Sequence, residues 1–112
     1  MSNFTFLFFI LEESPMRENS FQKELIKEIK EMFPGCVVLK NDSEYIQGIP
    51  DLTILYRDKW VVLECKKSPK ENHQPNQDYY VSKLRNMSYS AFIYPENKND
   101  VLVEVSKIFS KS

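Results

Sequence analysis

Two patterns of apolar residues divide this chain: a helical spacing of three and four residues, and short continuous apolar runs. The helical spacing first occurs in Phe21, Leu25, Ile29 and Met32. It predicts a first helix that begins at Asn19 or Ser20, either of which could cap it, and that ends near position 33. Pro34-Gly35 comes directly after and would stop the helix there.

The continuous apolar runs predict the strands of a sheet. Two of them, Leu52–Tyr56 and Trp60–Cys65, form a hairpin around the polar turn Arg57-Asp58-Lys59. The other two are Cys36–Leu39, which comes after the first helix, and Tyr89–Tyr94, which Pro95 closes.

Two further helices complete the predicted fold. Gln77–Met87 has an apolar stripe of Tyr80, Val81, Leu84 and Met87. A last helix, capped by Asn97 or Asn99, contains Val101–Phe109, although its valines keep a strand possible there. The order helix, strand, hairpin, helix, strand, helix predicts the α/β class, with a small mixed central β-sheet flanked by helices.

The first fifteen residues differ from the rest of the chain. Phe4–Leu11 is intensely apolar, but it lacks the basic flank and the small-residue cleavage site of a secretory signal. Met16 opens a more ordinary stretch and could itself be a start. The predicted organisation is therefore an apolar N-terminal extension at 1–15 and a single domain at 16–112. The extension could be an added strand, a pairing surface or a segment foreign to the domain.

Composition limits the classes of partner. The chain has 112 residues, of which 42% are hydrophobic and 28% charged, and a net charge of −1, so a polyanion would have to be held by a local patch. Cys36 and Cys65 have no zinc-type spacing and are predicted to be reduced thiols of a cytoplasmic protein. No apolar run approaches the roughly 20 residues of a membrane span, so no membrane is expected as a partner.

The hairpin carries an unusual set of charged residues. Asp51 stands at the head of its first strand, and Glu64 and Lys66 lie two residues apart on the second, so they point to the same side. In an antiparallel pair these positions lie at the same end of the sheet. Two carboxylates there would repel each other unless a cation such as Mg²⁺ lay between them. Alternatively, Asp51 caps a turn and Glu64 pairs with Lys66 on a solvated face.

These residues also resemble a known nuclease motif. Pro50-Asp51 and Glu64-Cys65-Lys66 resemble the PD-(D/E)XK motif of a large nuclease superfamily. The sequence Gly48-Ile49-Pro50-Asp51, the preceding helix and a downstream glutamine are more narrowly similar to the VRR-NUC family, in its short stand-alone phage form. The resemblance covers about Met16 to Val103 and implies a nuclease domain with a restriction-endonuclease-like core.

The resemblance also implies a set of site residues. Mg²⁺ or Mn²⁺ would be bound by Asp51, Glu64, the backbone carbonyl of Cys65 and a helix acid, for which Glu18 in Glu18-x-x-x-Gln22 is preferred and Glu24 is the alternative. The implied catalytic residues are Asp51, Glu64, Lys66, Gln77 and Glu18. Candidate contacts to DNA phosphates are Lys67, Lys70, Lys83 and Lys40.

The activity implied is metal-dependent hydrolysis of phosphodiester bonds by a DNA endonuclease. Stand-alone relatives imply a homodimer that acts on branched DNA such as Holliday junctions, in the cytoplasm of the bacterial host if the chain is phage-encoded. Two alternatives stay open. One is a non-cleaving module that binds nucleic acid or protein on the same fold, and the other is a nuclease that acts on linear DNA.

Overall fold

The computed structural model describes residues 20–112, and the predicted order of elements is confirmed over that range. The first helix, α1, occupies 20–32 of the described residues. The remaining elements are β1 Val37–Lys40, β2 Leu52–Tyr56, β3 Lys59–Cys65, α2 Gln77–Met87, β4 Ser90–Ile93 and α3 Lys98–Phe109. The α/β class with a small mixed sheet is therefore correct, and the predicted extension at 1–15 lies outside the described residues.

The four strands form one sheet in the order β1-β2-β3-β4. The β1–β2 and β2–β3 pairs are antiparallel, whereas β4 runs parallel to β3. A parallel neighbour cannot be reached by a tight turn, so the chain crosses over through α2 between β3 and β4. In the hairpin register Leu52 lies opposite Leu63, which brings the start of β2 to the end of β3.

The hydrophobic core lies on one face of the sheet. Alternate residues of β2 and β3 point to that face and pack against α1 and α3. The principal contributors are Leu25, Ile29, Phe33, Leu52, Ile54, Val61, Leu63, Cys65, Val101, Leu102, Val105 and Phe109. The intervening residues of β2 and β3 point to the opposite face, where α2 contacts β3 and β4.

Several predicted details are corrected. β1 begins and ends one residue later than expected, β4 lacks Tyr89 and Tyr94, and Lys59 belongs to β3 rather than to the turn. The turn is short because Arg57 adopts a left-handed φ of 58°. Ser20 lies within α1 instead of capping it, and residue 19 is outside the described range.

The helical stripes are also partly wrong. Met32 is 41% exposed although helical spacing places it within about 20° of Leu25, because it is the last residue of α1 and borders an open surface hollow. Met87 is likewise the last residue of its helix and is 64% exposed at an open hollow, while the hydroxyl of the next residue, Ser88, donates to the Trp60 carbonyl. The strand alternative for 101–109 is excluded by α3, which Asn97 precedes as N-cap.

No helix in the described part of the chain is both long and apolar enough to cross a membrane.

Gly48 is the point at which the loop before β2 touches the start of α2. Its φ is +89°, and a Cβ built there would lie 2.6 Å from the carbonyl carbon of Asn76 and 2.7 Å from the carbonyl oxygen of Pro75. Gly35 has a nearly identical φ of +90°, but nothing lies within 4 Å of its Cβ position. The two glycines therefore share the backbone requirement and differ only in the close approach.

The Gly48→Ala variant should be much less stable than Gly35→Ala. Both incur the left-handed backbone cost of about 1–2 kcal/mol, but only Gly48→Ala also pushes against main-chain atoms, so its total should exceed about 3 kcal/mol. Urea unfolding followed by circular dichroism measures both free energies of unfolding. Equal losses would show that the contact with Pro75 and Asn76 is easily relieved.

Candidate functional site

The candidate site lies where β2 begins and β3 ends. Asp51 precedes β2 by one residue, and its N–H donates to Glu64 Oε1 at 3.2 Å. Its side chain is held in turn, because the N–H of Cys65 donates to Asp51 Oδ2 at 3.0 Å. The predicted proximity of Asp51 and Glu64 is confirmed, and it results from the antiparallel register of the hairpin.

Lys66 and Gln77 complete a connected group with Glu64. Lys66 Nζ donates to Gln77 Oε1 at 2.8 Å and lies 3.7 Å from Glu64 Oε2. Gln77 Nε2 donates to the same Glu64 oxygen at 3.1 Å. Glu64 and Lys66 are each only 3% exposed, so the alternative of an ion pair on a solvated face is wrong.

The loop between β3 and α2 is held by the same lysine. Lys66 Nζ donates to the carbonyl of Asn72 at 3.2 Å and lies 3.6 Å from Glu71 Oε2. The other oxygen of Glu71 accepts from the N–H of Lys67 at 2.7 Å. Glu71 was not predicted, and no periodicity or motif marks a single glutamate within a polar loop. Its role depends on a loop conformation that residue types alone do not specify.

Asn41 fixes the other side of the site. Its Nδ2 donates to the Pro50 carbonyl at 2.8 Å and to Thr53 Oγ1 at 2.9 Å, and its N–H donates to the Asp51 carbonyl at 2.8 Å. The main chain on both sides of Asp51 is therefore tied to the residue after β1. Asn41 therefore holds the backbone around Asp51, and through it the position of the Asp51 carboxyl group.

Negative charge exceeds positive charge in this group. Among the described residues, Asp51, Glu64 and Glu71 lie around the ammonium of Lys66. Burial raises the pKa of the Asp51 carboxyl, while the Cys65 N–H, the charge of Lys66 and the hydrogen bond with Glu64 lower it by less. An added cation would relieve this imbalance.

The donor set fits a hard divalent cation. Asp51 and Glu64 supply carboxylate oxygens. The backbone carbonyl oxygen of Cys65 is the third candidate ligand, and it belongs to the residue whose N–H contacts Asp51. Within residues 20–112, no group of three or more His, Cys, Asp or Glu side chains could hold a metal ion. Mg²⁺ needs only one or two protein carboxylates, since water and substrate phosphate complete its octahedron. Asp51 and Glu64 supply that number of carboxylates.

Glu18 and Glu24 are the two candidate acids of the first helix. Glu18 lies outside the described residues. Glu24 is exposed and lines a surface hollow with Lys27, Glu28, Glu31 and Lys98. None of those residues is among the hydrogen-bonding partners that the structure gives to Asp51 or Lys66.

The four candidate phosphate-binding lysines are all exposed but lie in different places. Lys40 ends β1 opposite Leu52, so it lies near Asp51 along the sheet but on the face of the core. Lys67 is the next residue after Lys66. Lys70 lies in the loop after β3. Lys83 lies over the ring of Tyr79 at 5.7 Å, on the outer surface of α2. Helical spacing places Lys83 about 120° around the helix from Gln77, so it lies apart from the other three.

Comparisons with known proteins add no family to this geometry: no family model, curated protein or solved structure matches the chain. The fold itself defines a small α/β protein with a mixed sheet and a charged group at one sheet end. The similarity to the VRR-NUC family stays a prediction from the residues of the motif.

Replacing Lys66 should be far more costly than replacing Lys67. Lys66→Met removes the ammonium from among Glu64, Glu71 and Gln77 and should cost about 3–5 kcal/mol, as breaking a buried ion pair does. Lys67→Met, at an exposed neighbour, should stay within about 0.5 kcal/mol. Urea unfolding in EDTA compares them, and similar midpoints would contradict a central role for Lys66.

Asp51→Asn should stabilise the metal-free protein at neutral pH. The raised pKa of Asp51 means that its ionised form is disfavoured in the folded state. That penalty is present above the folded-state pKa and disappears below the ordinary value of 3.8, where the carboxyl is protonated in both states. In EDTA, the Tm of Asp51→Asn minus that of the wild type should therefore be positive at pH 7. It should shrink toward zero as the pH falls below about 4, and a difference that does not change with pH would contradict this explanation.

Proposed function

We propose that this protein is a divalent-metal-dependent DNA endonuclease of the VRR-NUC type that hydrolyses phosphodiester bonds. One observation carries the proposal: two carboxylates, a buried lysine and a glutamine meet at one end of the sheet through direct contacts. Such a group is costly to bury, and proteins keep costly polar groups where function requires them. The proposal of the VRR-NUC type rests on the resemblance of Pro50-Asp51 and Glu64-Cys65-Lys66 to the motif of that family.

The metal would be held by Asp51, Glu64 and the Cys65 carbonyl, with Glu18 as a further candidate ligand outside the described residues. When bound, Mg²⁺ or Mn²⁺ lowers the pKa of a coordinated water and neutralises charge on a phosphate oxygen. Asp51 is positioned for this by the N–H of Cys65 and by the backbone contacts of Asn41.

Lys66 would orient the attacking water or stabilise charge that develops on the phosphate oxygens. Gln77 holds the ammonium of Lys66 through Oε1 and one oxygen of Glu64 through Nε2, so it sets their relative position. The Asn72 carbonyl gives the ammonium a second fixed partner. Preorganised groups of this kind stabilise a transition state without having to reorganise during the reaction.

The proposed substrate is branched DNA such as a Holliday junction. Lys40, Lys67 and Lys70 are exposed and lie near the acids along the chain or the sheet. They would contact phosphates, which suits a chain whose overall charge of −1 gives no general attraction to DNA. A homodimer would present two identical sites to two strands related by a two-fold axis. Cys36 and Cys65 form no disulfide, which supports the proposed cytoplasmic location.

A non-cleaving binding module is the second candidate. The observation that favours it is the engagement of Lys66, whose ammonium already has Gln77, Asn72, Glu64 and Glu71 as neighbours. With these four neighbours, the ammonium of Lys66 needs no role other than to join β3 to α2. The two candidates differ in whether metal and DNA produce cleavage.

Wild-type protein should cleave a four-way junction in Mg²⁺ or Mn²⁺ at least about 10-fold faster than linear duplex of the same sequence. Asp51→Asn should lose at least about 100-fold in rate, comparable to the loss of a group that stabilises the transition state. Asp58→Asn, at an exposed acid of the β2–β3 turn, is the matched control and should keep the wild-type rate. The measurement is a cleavage time course on junction, flap, single-stranded and linear DNA.

Metal binding is checked separately from cleavage by thermal unfolding. Mn²⁺ should raise the Tm of the wild type and of Asp58→Asn but not that of Asp51→Asn, because a ligand stabilises only the state that binds it. Absence of both cleavage and a Tm shift would favour the binding module. Equal rates on junction and linear DNA would instead point to a nuclease for linear DNA.

A further inference from the structure

An open hollow of about 520 Å³ lies beside the candidate site. Thr53 and Val62 line it, and these two residues are directly opposite each other in the β2–β3 pair. Thr53 is two residues after Asp51, and Val62 is two residues before Glu64. Residues two apart on a strand point to the same face and are separated by about 7 Å, so the hollow adjoins the acids on one face of the sheet.

The walls of the hollow are mostly apolar and include two aromatic side chains. Trp60, Ile46 and Val62 line it, and Tyr45 stands at its rim with 85% of its surface exposed. Flat apolar surfaces with aromatic rings accept nucleobases of any sequence by stacking. A hollow of this volume also falls within the range of small-molecule sites.

The charge of the hollow selects which part of a nucleotide can enter. Among the described residues that line it, Asp42 alone is charged. A carboxylate repels a phosphate group but accepts hydrogen bonds from the N–H groups on the edge of a base. The phosphodiester backbone would therefore run along the lysines and the proposed metal site, and a base would point into the hollow.

We propose that this hollow receives one unstacked nucleobase next to the phosphate that is cleaved. The inference rests on the proposed nuclease function and adds a physical basis for its substrate choice. A base in continuous duplex must be unpaired and unstacked before it can enter. A base in a flap or single strand is already unpaired, and a base pair at a branch point lacks the continuous stack of a duplex. The hollow would thus favour branched or single-stranded DNA without reading its sequence.

Trp60 makes the inference directly measurable, because it is the only tryptophan of the chain. The probe is a 20-nucleotide single strand, titrated into Asp51→Asn so that no cleavage interferes. We expect the fluorescence of Trp60 to be quenched as a base stacks against the hollow. A strand of the same length that consists of abasic residues should bind more weakly and should not quench Trp60.

Variants of Tyr45 test the rim. Tyr45→Ala should weaken binding of the single strand by about 5- to 150-fold, the range for loss of one stacked base, and Tyr45→Phe should stay within about 2-fold of the parent. Tyr79→Ala is the matched control, because Tyr79 is also an exposed tyrosine, at 57%, but lies on the outer surface of α2. It should leave both affinity and quenching unchanged.

The outcomes separate the hollow from the nuclease. Binding without quenching of Trp60, or equal effects of Tyr45→Ala and Tyr79→Ala, would overturn the base site even if the wild type cleaves DNA. A Trp60 signal that changes with protein concentration in the absence of DNA would also overturn it, since a second copy would then occupy the hollow. Quenching that depends on Tyr45, without metal-dependent cleavage of any substrate, would support the base site and overturn the nuclease.

Discussion

The ammonium group of Lys66 joins three parts of this protein in the region of the candidate site. Lys66 comes directly after the last residue of β3, and its ammonium donates to Gln77 at the start of α2 and to the carbonyl of Asn72 in the intervening loop. Because its side chain is buried, these contacts are not weakened by solvent. The contacts of this ammonium with Gln77 and Asn72 tie α2 and the loop before it to the end of β3, and so they shape the site.

The balance of charge around Lys66 explains why the group suggests chemistry rather than support alone. A single pair with Glu64 would satisfy the lysine, yet Asp51 and Glu71 add negative charge that the described residues do not neutralise. The pKa of Asp51 is raised chiefly by burial, so its ionised form is costly at the same place. In the proposed function, a divalent cation would offset this cost when it binds.

The sheet is covered unequally, and the site lies at the boundary. Helices α1 and α3 cover one face of the sheet. On the other face, among the described helices, α2 covers only the half that β3 and β4 form. Val37, Leu39 and Leu55 therefore remain 39–50% exposed on the β1–β2 half. The acids lie between the covered half and the open half, so a bound strand could contact both the charged group and the apolar hollow.

The sequence alone determined the class of the fold, the bounds of β2 and α2, and the meeting of Asp51 with Glu64. These features are local: periodicity defines each element, and a tight hairpin sets the register of its own strands. The resemblance had already implied Gln77 as a site residue. Only the tertiary structure decided that Glu64 and Lys66 are buried, that Gln77 hydrogen-bonds to both, and that Glu71 approaches from the loop. The reason is that α2 is a crossover between two parallel strands, β3 and β4. Its contacts with the end of β3 depend on how it packs against the sheet, which no local pattern of residues encodes.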